Sequence, residues 1–353
     1  MSNINVDGEE ISNELAPSVQ KSCRKVQRDK GEPLVEYIGN APYCYANSAA
    51  MLLKTIGEDI EPGQIEVLTG VGLGAIWQDN GGFWLSNPYS PPDMGLSAAL
   101  AMLGFQFVEG SREVPDPFPL EELEEQLQSG PAILGPLDMG FLDYLPFNAH
   151  GADHFVLVYK IANKSVFLHD PEGFPNVSLP LSCLADAWKA EKIDYRRGYY
   201  RYWTAPIRGE TPDKDEIRKR GVEHFAACYR QSRVISARLG WTFGPEAINS
   251  LAEKAKSHDL PNFQIHLMKS FHFCLGARRA LDYSVFFAGK DAQLSDIKRH
   301  QAQLLGNCHR IAATADWAEL AVELKQLAAT EDDFYKELLK QETTVSRMSV
   351  NKR

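Results

Sequence analysis

The stretch from His154 to Gly173 constrains this chain most. HFVLVYKI (residues 154–161) reads as a β-run, Ala162-Asn163-Lys164 as a polar turn, and SVFLH (residues 165–169) as a second β-run closed by Asp170-Pro171-Glu172-Gly173. Two β-rich runs joined by so short a turn make a hairpin. Strands that pair in this way put His154, at the start of one, beside Asp170, at the end of the other. A hairpin this apolar also needs a partner to cover it. Tyr43 to Ile56, YCYANSAAMLLKTI, carries apolar residues at helical spacing with small residues at its start. It reads as a helix with Cys44 at or near its N-terminus.

Those residue types in that order point to nucleophilic catalysis. A thiol attacks well only as thiolate, and a helix N-terminus with a nearby imidazolium is expected to lower its pKa. His154 would be the base, and Asp170 would fix its tautomer and orientation. The order Cys…His…Asp, with His and Asp on adjacent strands, is that of papain-like folds. Each member also has a plainer reading. Cys44 could be an inert core thiol. His150 and His169 compete locally with His154, and Asp170 before a proline could simply close an Asx turn. For the oxyanion hole, the Cys44 backbone N–H is one expected donor. No Gln stands a few residues upstream; Asn40, or Asn47 one turn into the helix, is the candidate second donor.

The rest of the chain divides by composition. Helices are expected at Leu96–Leu103 and Leu120–Ser129, a strand at Pro131–Leu137, a short helix at Leu179–Trp188, and a last strand at Tyr199–Thr204. RGETPDKD, from Arg208 to Asp215, reads as a linker. Helices are then expected near 214–239, 245–257, 262–288, 291–312, 315–328 and 331–343. The expected organisation is a flexible tail over 1–30, a papain-like catalytic domain over 31–210, an α-helical domain over 211–345 and a tail over 346–353. The fold class is α+β, with a papain-like cysteine-protease-type N-terminal domain and an α-helical C-terminal domain.

Charge and composition narrow the function. The net charge of −10 argues against general nucleic-acid binding. Residues 1–210 sum to −14 and residues 211–353 to +4, so an acidic half would meet cationic molecules and a basic half acidic ones. No run of about 18 apolar residues is present, so no membrane span is expected. The N-terminus lacks a secretory pattern, which makes the cytoplasm the expected location. The six cysteines, Cys23, Cys44, Cys183, Cys228, Cys274 and Cys308, lack metal-ligand spacing and read as free thiols. The loop over 70–82 holds five glycines but follows neither the P-loop nor the dinucleotide pattern. No metal and no cofactor are expected. Trp77 and Trp84 in and beside that loop are candidate walls of an acyl-binding cleft, or else packing residues of an interdomain seam. His266 and His272 read as core residues more readily than as ligands. Amphipathic C-terminal helices are compatible with a homodimer.

PYCYANSAAMLL, VGLGAIW and HFVLVYK…VFLHDPEG resemble segments of the butirosin biosynthesis protein H family. TFGPEAINSLAEKA and ARRALDYSVFFAG resemble the helical domain often appended there. The resemblance spans most of residues 35–290. It implies a papain-like N-terminal domain and an acyltransferase of secondary metabolism, moving an acyl group from a carrier-protein thioester to an amine or hydroxyl through an acyl-enzyme, as the family's prototype moves an aminoacyl group to an amine. Cys44 would accept the acyl group, His154 would be the base and Asp170 its orienting partner. The implied partners are a small-molecule acceptor and an acyl carrier protein or carrier domain. The same three residues would also serve a peptidase, amidase or thioesterase, and a third reading is a non-catalytic binding scaffold. The missing upstream Gln and the acidic N-terminus depart from the family pattern.

Overall fold

The computed structural model describes residues 35–40, 42–146 and 149–350, with side chains through residue 344. The expected tail at 1–30, and Cys23 within it, lie outside the described residues. Among the described residues two helices come first, α1 (Cys44–Lys54) and α2 (Pro62–Thr69), followed by two short strands, β1 (Ile76–Trp77) and β2 (Phe83–Trp84). Next come α3 (Pro92–Met102), β3 (Phe105–Arg112), α4 (Leu120–Gln128) and β4 (Ala132–Asp138). The hairpin follows as β5 (Asp153–Ala162) and β6 (Ser165–Asp170), then β7 (Phe174–Pro180), α5 (Leu181–Lys189) and β8 (Tyr199–Arg208). The architecture is α+β with a C-terminal helical region.

The main sheet has the order β3-β8-β4-β5-β6-β7, every neighbouring pair antiparallel. Its central strands are apolar on both faces because both faces are covered. Phe155 and Leu157 of β5 face one core with Ala46, Ala49 and Leu53 of α1 and Leu96 and Leu100 of α3. Val156 and Val158 face the other, with Leu184 and Trp188 of α5. The alternation along β5 therefore fixes α1 to one side. Ser48 Oγ donates to the Phe155 carbonyl at 3.3 Å, which registers the helix against the strand one turn beyond Cys44. The β5–β6 loop is Asn163-Lys164, with φ of 53° and 61°. Two consecutive residues at positive φ form the loop whose twist suits a two-residue hairpin.

Beyond the sheet lie α6 (Lys214–Leu239), β9 (Thr242–Phe243), α7 (Pro245–Lys256), α8 (Asn262–Leu267), a π-helical turn (Met268–His272), α9 (Phe273–Phe287), α10 (Ala292–Thr314) and α11 (Trp317–Val350). Strand β9 pairs with β1, and β1 with β2. The glycine-rich loop is thus stitched into the helical part, and Tyr199–Arg208 is not the last strand. At Gly74, φ is 78°, and an added Cβ would sit 2.4 Å from the Phe243 ring. That close approach needs glycine. The described residues from Val35 onward form one compact unit. No helix among the described residues is long and apolar enough to cross a membrane.

Several expected boundaries move. One helix, α11, replaces the pair at 315–328 and 331–343 and runs to Val350, into the expected tail; residues 351–353 lie outside the described residues. The expected break at Ala329-Thr330 contains no Gly or Pro, and the next residue, Glu331, faces inward to accept from the Tyr229 hydroxyl and from Gln301. Residues 262–288 are interrupted by the π turn. The short helix expected at Leu179–Trp188 starts at Leu181, behind β7. Strand β3 and helix α2 were not expected.

Candidate active site

Helix α1 starts on Cys44 with no side-chain cap and no acidic residue in its first turn. Its first N–H groups therefore keep their partial positive charge beside the sulfur. The thiol is half-buried. The His154 ring and the Phe155 backbone both act on the sulfur, each favouring its ionised form.

His154 lies at the start of β5 and is 2% exposed. Its Nε2 stands 2.7 Å from Oδ1 of Asp170, itself fully buried. With Nε2 committed to the carboxylate, Nδ1 is the nitrogen left for the sulfur. Asp170 is held from three directions. Its Oδ1 accepts from the Glu172 N–H at 2.8 Å, its Oδ2 from the Tyr144 hydroxyl at 2.8 Å, and its carbonyl from the Tyr37 hydroxyl at 3.0 Å. The Asx turn and the orienting role are therefore the same structure. The turn supplies one of the bonds that fix the carboxylate for His154.

Electrostatics polarise the trio. Burial opposes a charged His154, but the charge and hydrogen bond of Asp170 outweigh it and raise the imidazole well above its ordinary value. Burial likewise works against the Asp170 carboxylate. His154, the Glu172 N–H and Tyr144 bring it below the usual range. The Cys44 thiol goes up. Burial raises it, the His154 hydrogen bond and charge pull it back, and the Asp153 charge adds to burial. The depressed thiol expected from helix and imidazole is thus not what the site holds, because burial outweighs them.

The rival histidines are placed elsewhere. His169 Nε2 bonds the Val35 carbonyl at 3.0 Å, and its Nδ1 accepts from Asn176 N–H. His150 sits 3.5 Å from Asp138 and edge-on to Phe141. Asn40 and Asn47 meet each other, Nδ2 of Asn47 donating to Oδ1 of Asn40 at 2.9 Å. Asn47 is fully buried within α1, whereas Asn40 is exposed. That bond sets Asn40 beside the first turn of α1. Trp77 packs on the helical core with Ala247 and Ile248, and Trp84 stands edge-on to His272. Their contacts are those of a seam with the helical part, and none reaches Cys44 or His154. His272 is buried as expected, while His266 is exposed.

Sequence reasoning missed Tyr144, Glu172, Asp153 and Tyr195. Tyr195 donates to Asp153 at 2.7 Å, and the Asp153 charge acts on both Tyr195 and Cys44. Only Asp153 carried a signal, by its position next to His154.

Fold and site together define an α+β protein with a helical C-terminal region and a buried His–Asp pair against a helix-start cysteine. Residues 238–339 match the family model of the YobF C-terminal domain. Over 311 residues the chain is 40% identical to the uncharacterized protein YobF of Bacillus subtilis (strain 168), covering 87% of this chain and 99% of that protein. The chain belongs to the YobF family.

Proposed function

We propose that this protein is a cysteine-dependent acyltransferase with a papain-like catalytic arrangement. The observation that carries the reading is the line Cys44–His154–Asp170, a helix-start thiol under the influence of an imidazole whose Nε2 is 2.7 Å from a buried carboxylate. The resemblance to the butirosin biosynthesis protein H family supports a thioester donor and an amine acceptor.

In the first half-reaction, neutral His154 takes the proton of Cys44 and the Cys44 sulfur attacks the donor carbonyl. The bond from that carbon to the donor sulfur breaks, His154 protonates the leaving thiolate, and the acyl group rests on Cys44. In the second, the acceptor nitrogen attacks the acyl carbon, His154 takes its proton, and the Cys44 sulfur leaves. Asp153 and Glu172 beside the trio suit a cationic amine. The net positive helical half suits an acidic carrier protein.

Intact-mass measurement after incubation with a small acyl thioester tests the reading. A single acyl adduct on Cys44, absent from Cys44→Ala and discharged faster by an added amine than by water, is the expected result. Full transfer by Cys44→Ala would rule the scheme out. Discharge at the same rate with and without amine would instead make the protein a hydrolase.

A further inference from the structure

Helix α9, from the helical region, reaches the segment that leads into Cys44 at three points. The Arg278 guanidinium donates to the Asn40 carbonyl oxygen at 3.0 Å and to Asn40 Oδ1 at 3.0 Å, and it lies over the Tyr43 ring at 3.7 Å. The Tyr43 hydroxyl donates to Asp282 at 2.7 Å, one turn further along the same helix. On the other side of Cys44, Arg279 donates to the Tyr45 hydroxyl at 2.9 Å and to Glu66 at 2.7 Å. The residues before and after the sulfur are thus both held by one helix from outside the sheet.

We propose that Arg278 is a positioning residue for the acylation step, clamping Asn40 so that its side-chain amide serves as the second oxyanion donor. This rests on the acyl-transfer reading above. Three facts converge on it. A guanidinium that bonds both oxygens of one residue fixes its backbone and its side chain together. Asn40 Oδ1 then has two donors, from Arg278 and Asn47, so both its acceptor sites are filled and the flip of the amide is decided. Nδ2 is left as the donating end. Finally, Asn47 lies one turn into α1, so its bond draws Asn40 alongside the helix start where the Cys44 N–H, the other donor, is found. The side-chain amide that the upstream sequence lacks as Gln is supplied by an Asn, held in place by an arginine nearly 240 residues away in the chain. Arg278 lies inside the segment matched by the YobF C-terminal domain model, which gives that domain a part in the chemistry of the other.

Two reagents separate positioning from structure. Iodoacetamide alkylates the Cys44 sulfur by direct displacement of iodide and forms no oxyanion. p-Nitrophenyl acetate acylates it through one, with the carbon–oxygen bond breaking and p-nitrophenolate leaving. Expected for Arg278→Ala is an acylation rate lower by about 10- to 100-fold, of the order seen when an oxyanion donor is lost, with the alkylation rate and its pH midpoint within about twofold of wild type. Arg278→Lys keeps the charge but not the two-pronged bond and is expected to behave as Arg278→Ala does. Asn40→Ala should show the same selective loss, and adding Arg278→Ala to it should lower acylation no further, since residues that act as one unit are not additive. Unchanged acylation in Arg278→Ala overturns the proposal. So does an equal fall of both rates in Arg278→Ala and Arg278→Lys, which would make the clamp merely structural, and so does full additivity with Asn40→Ala. A wild-type protein that is alkylated at Cys44 but never acylated would reject the acyl-transfer reading itself, a result none of the variant comparisons can mimic.

Discussion

At the scale of single residues, the site turns on how His154, Asp170 and Cys44 shift one another's hold on a proton. The His154 imidazole is raised above its ordinary 6.5 and Asp170 is lowered below its ordinary 3.8. The signs follow by linkage. The raised His154 contributes stability in full below about pH 6.5 and loses it as pH climbs through the folded value. The lowered Asp170 contributes in full above about pH 4 and loses it as pH falls through its own folded value. The pair therefore stabilises most between those limits, and the advantage of wild type over Asp170→Asn in urea midpoint should peak there. Reactivity follows a separate sign. His154 draws the Cys44 pKa down against burial, so His154→Ala should move the midpoint of the alkylation–pH curve upward. For every step of about one on the pH scale that the midpoint rises, alkylation near pH 7 should slow by about tenfold. A midpoint that stays put, or falls, would mean the imidazole does not face the sulfur.

At the scale of elements, the β5–β6 hairpin does the positioning. His154 and Asp170 are neighbours only because Leu157 pairs with His169 and Val158 with Leu168. A slip of one residue would turn Asp170 to the opposite face. The loop that sets this register places Lys164 at φ 61°, a left-handed conformation that costs a non-glycine residue about 1–2 kcal/mol. Lys164→Gly relieves that strain but loosens the unfolded chain, so a net gain of up to about 1 kcal/mol is expected. It would be read from the denaturant midpoint, with Cys44 chemistry unchanged. Loss of stability would show that the lysine side chain contributes more than the backbone strain costs.

At the scale of the whole molecule, the helical region is built into the sheet-bearing part. Arg279 and Glu66 are both buried, and their 2.7 Å pair joins α9 to α2. Removing one partner of a buried pair leaves the other charge uncompensated, at about 3–5 kcal/mol. Arg279→Ala should therefore lower unfolding stability by roughly that amount, measured by urea titration. It should also leave a single cooperative transition, because the described residues from Val35 onward form one unit. Two separated transitions would instead mean that the sheet and helical parts unfold independently.

What the chain's own residues determined is local. The apolar run of HFVLVYKI, the polar turn after it and the helical spacing of YCYANSAAMLL are each patterns contained within about ten consecutive residues, and that range is where periodicity carries information. Cys44, His154 and Asp170 were legible for that reason, as were α6 and the hairpin. What only the tertiary structure decided is nonlocal or set by burial. Examples are the pairing of Ile76-Trp77 with Thr242-Phe243, the fusion of α11 across Ala329-Thr330, and the reach of Arg278 to Asn40. Sequence spacing carries no information about contacts between residues so far apart. The direction in which the Cys44 thiol moves belongs here as well, since desolvation depends on how many atoms surround the sulfur, and that number exists only once the chain has folded.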